Sequence, residues 1–338
     1  MKKIAAVFLT LALLLSCGCC AASTPQKFSG TFFDAFDTVI TISGYADTEA
    51  EFNRAYEGAK ELFLHYHQVF DAYNEYDGVD NLCKVNRLAA QGPTPAATEL
   101  LDFLSWLKEK QPLTGGRVNV AMGSVLFIWH DYRSEGVAVP DRNLLEDAAN
   151  HTDFDDVVID IDNGTILYTD DRLCLDLGAV AKGYTAQIAG EWLHNHGMPS
   201  YIINAGGNVV AGDPPLDGRT AWGIGVQKPR DGDGYQAILY ASNVSLVTSG
   251  DYQRYYTVDG VNYHHLIDPD TLFPGQYMQS VTIVCEDSGL ADLLSTAVFL
   301  SPYEEGKALV ASFDGVEAYW VLADGSARMT PGMMDYMR

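Results

Sequence analysis

Asp176-Leu177-Gly178-Ala179-Val180-Ala181-Lys182-Gly183-Tyr184 is the stretch on which the reading of this chain turns. The apolar run Leu173-Cys174-Leu175 leads into it, and a helical pattern follows to about His196. A strand is therefore expected to stop at Asp176, turn on Gly178 and restart as a helix near Ala179. Backbone N–H groups at a helix start lack intrahelical acceptors and can hold an anion. Asp176 and Lys182 set opposite charges around the turn. Taken alone, this is also the pattern of a strand–turn–helix without chemistry.

Just before it, alternating runs over residues 157–162 and 165–168 flank Asn163-Gly164, the strongest hairpin signal in the chain. After it, Tyr201-Ile202-Ile203-Asn204 reads as a strand ending in Ala205-Gly206-Gly207-Asn208. Two glycines there serve either a tight turn or a ligand's approach to the backbone. Further strands are expected over residues 221–226, 236–240, 244–247, 255–258, 280–284 and 317–322, with a hairpin at Asp259-Gly260. Residues 290–300 have helical spacing, and Ser301-Pro302 reads as cap and first residue of the next helix.

Toward the N-terminus, Phe36-Asp37-Thr38-Val39-Ile40-Thr41-Ile42 alternates as a strand. Thr48-Glu49-Ala50-Glu51 is a capping box, and Phe52, Ala55, Tyr56, Ala59, Phe63 and Phe70 recur behind it at helical spacing. A second helix spans residues 99–110, with Leu100, Leu101, Leu104 and Leu107 inward. Arg117-Val118-Asn119-Val120 is a short strand or turn before a helix through Val125, Leu126 and Trp129. Frequent hairpins among interleaved helices point to an α+β fold with mixed or antiparallel sheets and flanking helices.

The first residues stand apart. Lys2 and Lys3 precede an apolar run from Ile4 to Leu15, and Ser16-Cys17-Gly18-Cys19-Cys20 follows. This is the pattern of a secretory signal, too short for a confident membrane span. Leu14-Leu15-Ser16-Cys17 resembles a bacterial lipobox, with Cys19 a competing site of lipid attachment. The expected division is a lipoprotein signal over 1–20, a polar tether over 21–29 and one domain over 30–338. The implied address is the extracytoplasmic face of a bacterial membrane.

The chain has 338 residues and a net charge of −24. Such acidity disfavours nucleic acid as a partner. An anionic ligand would need a local cation or metal to offset the field. Beyond the leader only Cys83, Cys174 and Cys285 remain, widely spaced, which is neither a disulfide framework nor a thiolate metal site. Sequences of the Walker A, H-E-x-x-H, G-x-S-x-G and G-x-G-x-x-G kinds are absent.

Two groupings could carry chemistry. Asp292 and Thr296 lie four apart on an expected helix and share a face; their oxygens suit Mg²⁺, and Ser295 could assist. His265, before Asp268-Pro269, is a candidate general base.

Five ordered blocks then resemble the ApbE family of FAD:protein FMN transferases: the opening stretch, Asn204 to Asn208, Thr248-Ser249-Gly250-Asp251-Tyr252, His265-Leu266-Ile267-Asp268-Pro269, and Ala291-Asp292-Leu293-Leu294-Ser295-Thr296-Ala297. The resemblance covers nearly all of the chain beyond the leader. It implies an ApbE-like, T-fold-related architecture and Mg²⁺-dependent transfer of FMN from FAD to a Thr or Ser hydroxyl of a flavoprotein, releasing AMP. By resemblance the metal is held by the backbone carbonyl of Ala179 with Asp292 and Thr296, and Ser295 is a further candidate. His265 takes the acceptor's proton. Asp176, Lys182, Tyr73, Ile267, Phe36, Arg117, Val118 and Asn119 are the implied FAD contacts. Phe36 stands where the family has Met, Asn119 where it has an acid and Val118 where it has an aromatic. The acceptor motif of such systems, roughly D-G-x-[ST]-G-A-[ST], is absent here, so the expected partner is a separate extracytoplasmic flavoprotein. The alternatives are an FAD pyrophosphatase giving FMN and AMP, and a flavin-binding lipoprotein without catalysis.

Overall fold

The computed structural model describes residues 24–230 and 234–337. The signal sequence and the candidate lipid sites Cys17 and Cys19 lie outside the described residues. No helix among the described residues is long and apolar enough to cross a membrane.

The chain opens with a hairpin of β1 (Gln26–Ala35) and β2 (Thr38–Ala46). Lys27, Phe28 and Ser29 pair with Tyr45, Gly44 and Ser43, so the expected tether is already a sheet strand from Gln26 onward. The capping box forms at Thr48 and Glu51 and starts α1 (Glu49–Phe70). Then come α2 (Leu82–Leu88), β3 (Thr94–Pro95), α3 (Thr98–Lys110), α4 (Gly123–Glu135) and α5 (Arg142–Ala149). The Asn163-Gly164 signal lies in the turn between β4 (Val157–Asp160) and β5 (Thr165–Tyr168).

The strand expected over Leu173-Cys174-Leu175 does not form a ladder. Cys174 makes one isolated parallel bridge to Met122, and the segment is held by Gly123 N–H to Cys174 O (2.9 Å) and Asp176 N–H to Val120 O (2.8 Å). Its leucines are buried in a core with α2 and α3, so apolar spacing was a burial signal rather than a pairing signal. The helix that follows, α6 (Ala181–Asn195), starts two residues beyond Ala179.

The second half holds β6 (Tyr201–Ala205), β7 (Asn208–Ala211), β8 (Trp222–Gln227), β9 (Tyr235–Ala241), β10 (Val244–Gly250), β11 (Tyr255–Val258), β12 (Val261–His264) and β13 (Met278–Cys285). Next come α7 (Ser288–Phe299), α8 (Tyr303–Val310), β14 (Glu317–Leu322) and β15 (Ala327–Met329). The Gly206-Gly207 pair is a two-residue hairpin turn with φ of 61° and 97°, conformations that glycine adopts without strain. Ser301 does not cap α8. Its hydroxyl donates to Ala297 O, and Pro302 stands at the cap position.

An antiparallel sheet in the order β1-β2-β6-β7-β10-β13-β14-β15 is the frame. One face, with Ile40, Ile42, Ile203 and Val210, packs on α1 and α6. Farther along, Val281, Ile283 and Trp320 pack against α7. On the opposite face, Val209, Ala211, Leu246 and Val284 are covered by Trp222, Ile224 and Val226 of the β8–β9 hairpin. The α+β expectation holds, in three layers.

The α6–α7 contact is unusually close because of Gly183. A Cβ there would sit 2.3 Å from Ser288 O and 2.5 Å from Asp292 Cβ. Gly183→Ala is expected to lower the unfolding free energy in urea by about 1–3 kcal/mol, the usual cost of overpacking. Gly223→Ala, whose Cβ meets nothing nearer than 3.4 Å, should change it far less. Equal effects would contradict the close-contact account.

Candidate functional site

A cavity of about 540 Å³ opens between the face of α4, the turn before α6, the side of α7 and the segments around Arg254 and His265. All the sequence-predicted site residues line it except Phe36 and Ser295.

Its centre is Asp292. The carboxylate is only 4% exposed, and Oδ2 accepts the Gly183 N–H at 2.8 Å. Lys182 Nζ stands 4.0 Å away. The Asn208 amide faces the carboxylate and favours its charged form, although Nδ2 completes no hydrogen bond. Burial nonetheless pushes the Asp292 carboxyl above its ordinary range, more than Lys182 and these donors pull it down. A buried carboxylate with so little compensation is the place where a cation gains most.

Gly183 is the third residue of α6, so its N–H is one of the helix-start donors without an intrahelical acceptor, and Asp292 satisfies it. Ala179, just ahead of the helix, lines the cavity, and its carbonyl accepts no backbone hydrogen bond among the described residues. Thr296, 6% exposed, lies one turn of α7 beyond Asp292 and lines the same cavity. Residues offering one carboxylate, one hydroxyl and one backbone carbonyl thus line one cavity. Oxygen donors of this kind fit a hard divalent cation. Among the described residues no three His, Cys, Asp or Glu side chains gather, so the donor chemistry does not favour zinc.

Ser295 is turned away. Fully buried, its hydroxyl donates to Asp292 O at 2.9 Å and lies 2.9 Å from Ser249 Oγ. Being one residue along, it lies on another face of α7, so it braces the helix against β10. Phe36 likewise packs inward, against Phe63 and His67. The cavity wall at that point is Asp37 and Thr38.

His265 is half-buried among positive charges. Desolvation, then Arg254 and Lys182, push its imidazole down to about 3, so it is neutral at ordinary pH. Its Nδ1 is buried with no hydrogen-bond partner among the described residues. His264 is buried in the opposite direction, Nε2 donating to Gly275 O at 2.7 Å and Nδ1 accepting from Leu266 N–H at 3.2 Å. Burial holds it at about 4.

Asp176 closes the other end. Oδ1 accepts Gly178 N–H at 2.8 Å and Oδ2 accepts the Tyr73 hydroxyl at 2.9 Å. Burial and then Asp176 push that phenol far up, and its ring stacks on His130 at 4.3 Å. Val118 and Ile267 supply apolar wall. Asn119 is committed to Thr152 O and Ala121 N–H. Arg117 holds Asp270 and Glu305 at 2.7 and 2.8 Å.

Two cations escaped sequence reasoning. Arg254 donates to the carbonyls of Phe36 and Asp37, and Arg133 approaches His130 at 3.4 Å. Both line the cavity, and neither has a carboxylate partner among the ion pairs of the described residues. Burial, then Arg254, pull the Arg133 guanidinium below its usual range. A signal existed for Arg133. Met122, Leu126, His130 and Arg133 recur at helical spacing along one face of α4. With Lys182 these cations stand in the same cavity as the carboxylates of Asp37, Asp71, Asp176 and Asp292.

A model of the ApbE family matches residues 36–320. The chain is 33% identical over 304 residues to an FAD:protein FMN transferase of Treponema pallidum, covering 86% of this chain and 83% of the relative. It is 27% identical over 306 residues to one from Vibrio cholerae, covering 88% and 87%. The fold superposes on the crystal structure of an ApbE protein from Thermotoga maritima with a TM-score of 0.83 at 28% identity, covering 93% of this chain and 100% of that one.

His264 and His265 make stability pH-dependent. The unfolded chain binds protons near 6.5, which the folded chain refuses down to about 4 at His264 and about 3 at His265. Their contribution is therefore complete above about 6.5 and is lost as pH falls through that window. In urea unfolding, His264→Gln should gain stability relative to the unsubstituted protein on going from pH 7.5 to 4.5. A difference that does not change with pH would refute this.

Proposed function

The chain belongs to the ApbE family, and from that premise we propose that it transfers FMN from FAD to a Thr or Ser hydroxyl of a separate flavoprotein, with Mg²⁺ as the metal. The observation that carries the reading is the meeting, in one cavity, of the Asp292–Thr296–Ala179 oxygen set with His265 and three cations free of carboxylate partners closer than Asp292.

Lys182, Arg133 and Arg254 draw in the pyrophosphate. Asp176 and the Tyr73 hydroxyl offer polar contacts to the adenine or ribose side, and Val118 and Ile267 offer apolar wall to the flavin side. Asp292, Thr296 and the Ala179 carbonyl would hold Mg²⁺, which supplies charge neutralisation of the pyrophosphate oxygens. The acceptor oxygen bonds to the phosphorus of the FMN half, and the bond from that phosphorus to the bridging oxygen breaks. AMP leaves with the bridging oxygen. His265, neutral and with a free ring nitrogen, takes the proton of the attacking hydroxyl. Water in place of the hydroxyl would give FMN and AMP, the pyrophosphatase alternative.

Lipid attachment at Cys17 or Cys19 belongs to the same proposal. With β1 beginning at Gln26, the linker from Cys17 spans at most ~30 Å. The domain would work close to the membrane, where an anchored flavoprotein is concentrated.

Incubation with FAD, Mg²⁺ and a peptide carrying D-G-x-[ST]-G-A-[ST] should add FMN to the peptide mass and release AMP. FMN release with unmodified peptide would favour hydrolysis, and no turnover of FAD with any divalent metal would sink both enzyme readings. Asp292→Ala should abolish metal-dependent turnover in a folded protein. His265→Ala should lower kcat by about 10²–10⁴-fold, the usual worth of a general base, with FAD affinity retained. Full activity in either variant would refute the role given to that residue.

A further inference from the structure

A second cleft, of about 640 Å³, lies on the other face of the sheet. Its floor is a row of paired neighbours: Thr41 opposite Asn204, Asn204 opposite Val209, and Val209 opposite Leu246. Ile40 and Ile42 of the same β2 strand point the opposite way, into the helical layer. The roof is the β8–β9 hairpin. Four consecutive residues of β8, Ile224-Gly225-Val226-Gln227, line the cleft. Successive side chains alternate between faces of a strand, so the cleft meets β8 along its edge. Among the described strands β8 pairs only with β9, which leaves that edge's N–H and C=O groups unpaired by any strand. At the rim Val39 is 49% exposed and Tyr235 63%. No charged side chain lines the cleft among the described residues, although the chain as a whole carries −24.

The cleft adjoins the catalytic cavity: Thr38, Gly206, Thr248 and Gln253 line both. The divide is thin, made by the Gly206-Gly207 turn with the Thr38 side chain packed against Gly206. Gln253 is next to Arg254, whose carbonyl accepts the backbone N–H of His265 at 3.1 Å.

We propose that this cleft receives the acceptor protein: an extended segment adds to the free edge of β8 and passes its Thr or Ser hydroxyl over the Gly206-Gly207 turn to His265. The inference rests on the transfer reading above and names the surface that the second substrate uses. Edge addition supplies main-chain hydrogen bonds without demanding particular side chains. A cleft lined by no charged side chain among the described residues repels neither a cationic nor an anionic segment.

The test uses the full protein with saturating FAD and Mg²⁺, titrated with the acceptor-motif peptide. Thr41→Arg should raise the peptide KM at least tenfold, and Val39→Ala should raise it several-fold, with FAD affinity and kcat at saturating peptide unchanged. An unchanged KM in both variants overturns the proposal, as does a parallel loss of FAD affinity. So does a Thr41→Arg protein that passes from dimer to monomer in sedimentation velocity with an unaltered peptide KM, which would make the cleft a seat for a second copy. A benzophenone-bearing peptide tests the unsubstituted protein directly, by labelling β8 or residues 39–41; labelling confined elsewhere overturns the proposal. A peptide that labels the cleft but receives no FMN would refute the transfer reading and leave the docking surface standing.

Discussion

One hydrogen bond sets the geometry on which the site depends: the N–H of Gly183 to the buried carboxylate of Asp292. It joins the first turn of α6 to α7 across a gap that no side chain at position 183 could share. It satisfies a helix-start donor that has no acceptor within α6, next to Ala179, whose carbonyl accepts no backbone hydrogen bond among the described residues. It also holds a carboxylate where burial opposes its charge. Burying a carboxylate with so little compensation costs stability. In the proposed function a cation held by Asp292, Thr296 and the Ala179 carbonyl would offset that cost.

Electrostatics separate the site from the rest of the molecule. The chain is strongly acidic, yet Lys182, Arg133 and Arg254 line the cavity beside its carboxylates, with Arg117 already satisfied by Asp270 and Glu305. Burial first, and then Arg254 and Lys182, keep His265 neutral. In the proposed mechanism the same charges would draw in the pyrophosphate and leave the imidazole lone pair free to take a proton. In the proposal, the cleft on the far face of the sheet would take the polypeptide while the cavity takes the nucleotide.

Much of this was legible in the chain. The capping box and apolar spacing fixed α1, and paired turn residues fixed the hairpins at Gly164 and Gly260, because these signals are local. The site blocks converged because four of them lie at the start or end of an element and the fifth lies along α7, all bordering the same cavity. The misses have physical causes. Leu173 and Leu175 are spaced as a strand would be, but they bury against helices and find no neighbouring ladder. The pairing of Lys27 to Ser29 with β2 is a tertiary fact that a polar, alternating segment does not announce. Ser295 has the chemistry of a ligand, but one residue along a helix turns it to another face, where Ser249 engages it. Arg254 and Arg133 matter because their carboxylate partners are missing, and sequence does not reveal a missing partner.

The most direct test of the central claim is where the metal goes. Crystals of the protein with FAD and Mn²⁺, measured at the manganese edge, should place a single anomalous peak within coordination distance of an Asp292 carboxylate oxygen, Thr296 Oγ1 and the Ala179 carbonyl, and beside the pyrophosphate. A peak elsewhere in the cavity, with the Gly183–Asp292 bond intact and Ala179 unliganded, would contradict the account.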